Sequence, residues 1–436
     1  MLSLQNTIGN VMQQIKTYTI GIGANIGFTL ENIHTAIALI DKLDNTNIIN
    51  KASLYSSKAL LKDNAPAEWD ITYLNTAIQL QTDLKPHELL KQLKSTELKI
   101  GRDLNAPIWS PRLIDLDILA CDDLQLNDEQ LTIPHKELLN RSFTLAPLLE
   151  LDNNWIHPAA INLDLHKRLR KLEPVTKLKQ TLSNTMRMGI VNLSEQSFSD
   201  GSFNDIQRKS NLFELIENGA EIIDIGAEST KPNAKAISVE TETQKLDDFL
   251  SYIKNNSHKL DYRPLISIDT RKFEVMENIL AKHSDIIWMI NDVECNDIEK
   301  KAALIAKHHK KYVITHNLGI IDRNAYLDKE DAIEMVCTYI GKKKNILIDS
   351  GVSQQDVYFD IGLGFGKKAE TAIHLLENIQ VIKDKLNLRT LVGHSRKASI
   401  LGLDKSSSIT ALDNATKELS AKLQQQNIEI IRIHKI

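Results

Sequence analysis

The chain has 436 residues, 57 acidic against 53 basic groups, 42% hydrophobic and 25% charged residues, and three cysteines. At about 100 to 200 residues per domain this length predicts two or three domains, and the composition excludes collagen-like, disordered and disulfide-stapled classes. A net charge of −4 gives no bulk attraction to nucleic acid or to a membrane surface, so any phosphate handling has to come from local sites.

Cys121, Cys295 and Cys337 are far apart and lack CxxC spacing, which reads as buried small hydrophobes in a reducing cytosol rather than a zinc site or a disulfide framework. The N-terminus shows neither the basic region nor the apolar run of ~7 to 15 residues that a signal peptide requires. No stretch approaches the ~18 consecutive apolar residues of a membrane span. The expectation is a cytoplasmic protein.

Residues 1–16 form an extension, and the pattern over 17–172 predicts an α+β domain. Thr17 to Gly23 alternates as a strand and runs into Gly23-Ala24-Asn25-Ile26-Gly27; Leu30 to Leu43 has helical spacing. Strand-like stretches follow at Ile48 to Ser57 and Tyr73 to Thr82, then a helix opened by Pro86 and running to Ile100. Ile114 to Ala120 alternates again, and Glu137 to Leu149 reads as a closing helix. This βαββαβ-like order predicts a ferredoxin-like domain. Between about Ala159 and Thr185 the chain turns basic; the run His166 to Lys171 reads as one solvated helix face, and 173–185 as a linker.

From Met186 onward the pattern is periodic. Short apolar strands recur at Arg187–Leu193, Ile222–Gly226, Leu265–Asp269, Ile286–Asn291, Tyr312–His316, Val357–Ile361, Thr390–Gly393 and Glu429–His434. Helical segments separate them at about Ile206–Asn218, Glu240–Asn255, Phe273–His283, Ile298–His309, Lys329–Lys344, Ala369–Lys385 and Ser408–Gln426. Strands alternating with helices over 186–436 predict a (β/α)8 TIM barrel rather than an open sheet. No eighth helix is evident after His434, so the expectation is either a trimmed chain or another surface over the last strand's apolar flank.

Barrel enzymes place their reactive groups at the C-terminal ends of the strands, and here every strand ends in polar residues. Asn192, Asp224, Asp269, Asn291, His316, Asp360, the Gly393-to-Lys397 turn, Arg432 and His434 all reach one mouth. Any one of them reads as a strand-end cap, but buried unpaired polar groups cost ~1 to 3 kcal/mol each, so the set points to a polar ligand. Carboxylates flanked by amides suit a nitrogen heterocycle, and Arg396, Lys397, Arg432 and His434 suit an anionic leaving group.

IVNLSEQSFSDG, DIGAESTKP, ISIDT, IND, FDIGLGFGK, GHSRK and IRIH, in this order, resemble dihydropteroate synthase, one of the pterin-binding barrels. The resemblance implies that Asp269, Asn291, Asp360 and Lys397 hold the dihydropterin ring. It gives Asn192, Thr230, Arg432 and His434 the pyrophosphate, with Mg²⁺ near Asn192, and Thr230, Lys231, Pro232, Ser395 and Lys397 p-aminobenzoate. Lys397 is also implied in catalysis. Ser194-Glu195-Gln196 stand where the family usually shows Thr-Pro-Asp, and Lys231 stands for an arginine.

In the first domain Asp115 and Asp117 are two apart on a strand and share a face. Two carboxylates suit Mg²⁺, whose octahedron is completed by water and substrate phosphates. Arg102, Arg112, His135 and Arg141 surround them in the sequence, as clamps on a triphosphate would. GIGANIG, YLNTAIQL, IGRD, WSPRLIDLDIL, IPHKELLNRSF and APLLEL resemble hydroxymethyldihydropterin pyrophosphokinase. That implies Mg²⁺ on Asp115 and Asp117, ATP on Arg102, Arg112, His135 and Arg141, and pterin on Tyr73, Asn75, Trp109 and Phe143. Arg102, Arg112 and the two aspartates are the implied catalytic groups. Leu104 replaces a second family arginine.

Together the resemblances imply a bifunctional folate-biosynthesis transferase. ATP would donate pyrophosphate to the pterin alcohol, and p-aminobenzoate would then displace it to give dihydropteroate. The implied partners are these small molecules, without nucleic acid or membrane, and a second copy of the chain, since such barrels commonly dimerise. Two alternatives stay open from sequence: one half reads as a degenerate pterin-binding or dimerisation module, or the barrel as a folate-dependent methyltransferase.

Overall fold

A computed structural model describes residues 15–103, 105–107, 109–194, 201–228, 236–318, 326–404 and 406–436, with 201–206 as backbone only. Packing divides the chain into one unit ending at Leu178 and another beginning at Lys179.

The first unit contains β1 (Lys16–Ala24), α1 (Thr29–Ile40), β2 (Thr46–Lys51), β3 (Tyr55–Ser57), β4 (Tyr73–Thr82), α2 (Pro86–Ile100) and β5 (Asp115–Cys121). β6 (Leu126–Asn127), β7 (Thr132–Ile133), α3 (Ser142–Leu151), α4 (Leu165–Leu169) and β8 (Thr176–Lys177) follow. β1 is central and antiparallel to both β4 and β5. The sheet runs β5-β1-β4-β3-β8, with β2 also on β4, which is the ferredoxin-like order. α1 buries Leu30, Ile33, Ile37 and Ile40, a stripe at helical spacing. α2 starts on Pro86 and stops at Gly101, whose φ of 102° is the left-handed cap that glycine takes without strain. Leu145, Leu148 and Leu149 of α3 pack on Ala77 and Leu119 of the sheet.

Four local expectations change. The stretch Ile48 to Ser57 is two strands, because the register on β4 slips by one residue between Lys51, opposite Ile78, and Tyr55, opposite Asn75. The helix expected from Glu137 is a 3₁₀ turn at Leu138–Asn140, an extended Arg141 and then α3. Segment 173–185 is not free chain: β8 pairs with β3, whereas Gln180 donates to the Ile216 and Ala220 carbonyls and Thr181 N–H to Glu221. Within the basic run, Arg168 leaves the solvated face and donates to the Leu139 carbonyl at 2.7 Å.

The second unit alternates β9 (Met186–Asn192), α5 (Gly201–Glu217), β10 (Ile222–Gly226), α6 (Val239–Asn256), β11 (Leu265–Asp269), α7 (Phe273–His283), β12 (Ile287–Asp292) and α8 (Ile298–His308). It continues with β13 (Lys311–Thr315), α9 (Ala332–Asp349), β14 (Val357–Asp360), α10 (Ala369–Glu377), α11 (Ile379–Leu386), β15 (Arg389–Val392), α12 (Ile409–Gln425) and β16 (Ile430–Ile433). The strands form a closed barrel in chain order. All pairings are parallel, and β16 seals it by pairing Ile430–Ile433 with Met186–Gly189. Strands such as Ile222–Gly226 are buried at every residue, as expected where side chains fill the barrel and helices cover it. The helix expected over Ala369–Lys385 breaks at Asn378 into α10 and α11. No helix follows β16, and none is long and apolar enough to cross a membrane, among the described residues.

Gly362 closes the turn after β14 with φ 65°, and a Cβ there would lie 1.9 Å from the His316 carbonyl oxygen. Gly362→Ala is therefore expected to destabilise the barrel by at least ~2 kcal/mol, read from denaturant unfolding.

Candidate active sites

A cleft of about 620 Å³ opens beside the sheet of the first unit, lined among others by Tyr73, Asn75, Trp109, Asp115, Asp117 and Phe143. Its floor is set by β5, whose alternation turns Asp115 and Asp117 to the cleft while Leu116 and Ile118 stay buried. Arg102 and Arg112 each place a guanidinium nitrogen on Asp115, at 2.7 and 2.9 Å. Among the described residues, Asp117 has only Lys94, at 3.9 Å, as a cationic neighbour within ion-pair distance. Burial, and then the charge of Asp115, push the Asp117 pKa up, an effect that a divalent cation shared by the two carboxylates would oppose.

The loops are tied to this floor. The turn after β1 binds the Arg112 segment reciprocally: Arg112 N–H donates to Asn25 Oδ1 at 2.7 Å and Asn25 N–H to the Arg112 carbonyl at 3.2 Å. Arg141, freed by the break before α3, stacks over Trp109 at 5.5 Å and Phe143 at 5.9 Å. Asn75 donates to Ser57 Oγ at 3.0 Å. His135 is tied by its own N–H to the Leu119 carbonyl, and burial lowers its ring pKa. The described part of the structure thus brings together every first-domain residue singled out from sequence; Leu104 lies outside it.

At the C-terminal end of the barrel, Arg432 from β16 reaches Asp224 Oδ2 at 2.5 Å and Asp269 Oδ2 at 2.7 Å. Asn291 donates to the same Asp224 oxygen at 3.1 Å. Asp224 Oδ1 is buried without a hydrogen-bond partner among the described residues. Desolvation raises the Asp269 pKa to about 7 against the pull of Arg432, and raises that of Asp360 against Lys397. Desolvation lowers Lys397 to about 8. Ser395 Oγ accepts the His434 N–H at 3.2 Å. Asn192 ends β9 in register with Gly226 and is exposed. Thr230, Lys231 and Pro232 lie outside the described residues.

Two family profiles cover this chain, the pterin binding enzymes over residues 188–434 and 7,8-dihydro-6-hydroxymethylpterin-pyrophosphokinase over 19–153. The folate synthesis bifunctional protein of Chlamydia caviae is 30% identical over 429 residues, covering 96% of this chain and 94% of the relative. The chain belongs to the bifunctional folate-synthesis family. Its Chlamydia muridarum relative is 31% identical over 431 residues, with 96% and 94% coverage. A crystal structure of dihydropteroate synthase from Anaplasma phagocytophilum with bound 6-hydroxymethylpterin-monophosphate matches 58% of this chain and 94% of that one, at 31% identity and TM-score 0.51. Plasmodium falciparum HPPK-DHPS shares the fold along 97% of this chain and 95% of its own, at 18% identity and TM-score 0.50.

This folate-synthesis enzyme is therefore a double transferase: ATP is the co-substrate of the pyrophosphokinase half, and the barrel condenses the pterin pyrophosphate with p-aminobenzoate. Sequence reasoning missed Glu97. It is fully buried and pairs with Arg102 at 2.6 Å and Lys94 at 2.8 Å. It also accepts the Leu116 N–H at 2.7 Å, between the two aspartates. Its one local signal is the spacing of Lys94 and Glu97 on α2, which reads equally as a surface pair. Asp224 belongs to the polar set at the mouth, and the motif resemblance gives it no ligand.

Asp269 also makes stability depend on pH. Its folded pKa lies above the ordinary 3.8, so the folded barrel keeps a proton that the unfolded chain releases, and stability falls as pH rises from about 4 through about 7. Asp269→Asn should flatten that slope; equal slopes in denaturant titrations of the two proteins would contradict the assignment.

Proposed function

We propose that the kinase reaction is run by Asp115, Asp117, Arg102, Arg112, His135 and Arg141, with the pterin held by Tyr73, Asn75, Trp109 and Phe143. The observation that carries this is the shared face of Asp115 and Asp117, one bridged by two arginines and the other left without close compensation. Asp115 and Asp117 would hold Mg²⁺, which would supply charge neutralisation for the triphosphate. The pterin hydroxyl oxygen forms a bond to the β-phosphorus of ATP and releases its proton, and AMP leaves with the electrons of the broken P–O bond. Arg102 and Arg112 exchange Asp115 for phosphate oxygens, while Trp109 and Arg141 close off the ring from water.

In the barrel, Asp269, Asn291, Asp360 and Lys397 would hold the dihydropterin. The unpartnered Asp224 Oδ1 supports a ligand with ring N–H donors, since that acceptor is otherwise buried at a cost. The p-aminobenzoate nitrogen attacks the pterin methylene carbon, pyrophosphate leaves, and the nitrogen loses one proton. Asn192, Thr230, Arg432 and His434 would take the leaving pyrophosphate, and Thr230, Lys231, Pro232, Ser395 and Lys397 the p-aminobenzoate. Asn192 alone offers one neutral oxygen, so Mg²⁺ there depends on the pyrophosphate's own oxygens.

A coupled assay with ATP, Mg²⁺, hydroxymethyldihydropterin and labelled p-aminobenzoate is expected to yield labelled dihydropteroate. Asp115→Ala should abolish AMP release and leave condensation of supplied pterin pyrophosphate intact; loss of both steps together would contradict the division of labour.

We further propose a homodimer in the cytoplasm, without nucleic acid or membrane contacts. Its support is the exposed apolar side chains on the barrel helices, Met335 on α9, Ile373 on α10, Val381 on α11 and Ile409 on α12, together with free thiols at Cys121, Cys295 and Cys337. Sedimentation should give twice the 49.2 kDa chain mass; a monomer at micromolar concentration would remove the dimer.

A further inference from the structure

Arg396 stands in the turn after β15, between Ser395 and Lys397, with a left-handed backbone, φ 57°. That conformation crowds the Cβ of any residue but glycine, so surrounding contacts must hold it. They come from one helix. Arg396 Nε and Nη2 donate to the two carboxylate oxygens of Asp413 at 2.7 and 3.0 Å. Arg396 N–H donates to Thr416 Oγ1 at 3.1 Å, and His394 Nε2 lies 2.8 Å from Ser420 Oγ.

Asp413, Thr416 and Ser420 are spaced by three and four residues, so they share one face of α12. Thr416 and Ser420 are buried and anchored to their own helix through the Leu412 and Thr416 carbonyls. The bidentate pair fixes both the reach and the plane of the guanidinium, which a single contact would not. With Arg396 drawn to α12, Ser395 meets His434, and the Lys397 ammonium lies 3.5 Å from where a Cβ on Gly364 would stand.

We propose that Asp413 is a positioning residue for the condensation: by clamping Arg396 it holds the left-handed bend that sets Ser395 and Lys397 at the barrel mouth. The inference rests on the assignment of those two residues to p-aminobenzoate made above. Asp413 itself touches no substrate; it acts through the backbone of a turn whose other side is the ligand site.

Steady-state kinetics on supplied pterin pyrophosphate tests this in the full chain. Asp413→Ala is expected to raise KM for p-aminobenzoate about tenfold or more, since small displacements of positioning groups cost that much, while AMP release by the kinase half is unchanged. Asp413→Glu, which keeps the carboxylate, should recover most of the loss, and Glu418→Ala on the exposed side of α12 should show none. Arg396→Gly supplies a residue that takes positive φ without a clamp, so adding Asp413→Ala to it should leave KM where Arg396→Gly put it. An Asp413→Ala protein with the unaltered KM, even at lower thermal stability, would overturn the inference, as would an undiminished Asp413→Ala penalty in the Arg396→Gly background. Absence of dihydropteroate from the unaltered protein would instead overturn the reading beneath it, and the inference with it.

Discussion

Carboxylates gathered where water is scarce repel one another and lose hydration, so each cluster needs a cation brought from elsewhere in the chain. Both units are organised around that constraint. In the barrel, Arg432 spans Asp224 and Asp269; in the first unit, Arg102 joins buried Glu97 to Asp115, and Arg112 takes the other Asp115 oxygen. These cations hold the acids at ligand-ready spacing. On the reading proposed above, they are also the groups that exchange a carboxylate for a phosphate oxygen when substrate arrives.

The barrel adds geometry to this charge balance. Parallel strands in closed register deliver every C-terminal end to one mouth, so polar residues far apart in sequence become neighbours without any loop having to place them. Outside the mouth, ion pairs lash the loop roots together. Arg271 bridges Glu228 and Glu294 at 2.7 and 2.8 Å, and Lys272 joins Glu228 to Glu242. Lys301 and Tyr312 both reach buried Asp292. Such partly buried networks fix orientation more than they add stability, because desolvation offsets much of the Coulomb gain.

Much of this was legible locally. Tyr73–Thr82 and Pro86–Ile100 emerge with the bounds that alternation, Pro86 and Gly101 mark, and Ile222–Gly226 and Phe273–His283 are likewise unchanged. The misses share a cause. β2 and β3 separate because β4 accepts them with a shifted register. Residues 173–185 look like linker because β8 is too short and polar to announce a strand without β3 beside it. Glu97 reads as a surface helix residue until β5 packs over it and Leu116 N–H turns toward its carboxylate.

Period, punctuation and motif order therefore determined from sequence the two units, the barrel and the family, since those signals are carried by residues within a few turns or strands of one another. Which cation neutralises which acid was settled only by tertiary structure. Asp224 and Arg432 are 208 positions apart, and Arg396 lies 17 from Asp413. An ion pair depends on distance and desolvation at atomic scale, and neither exists until the barrel closes.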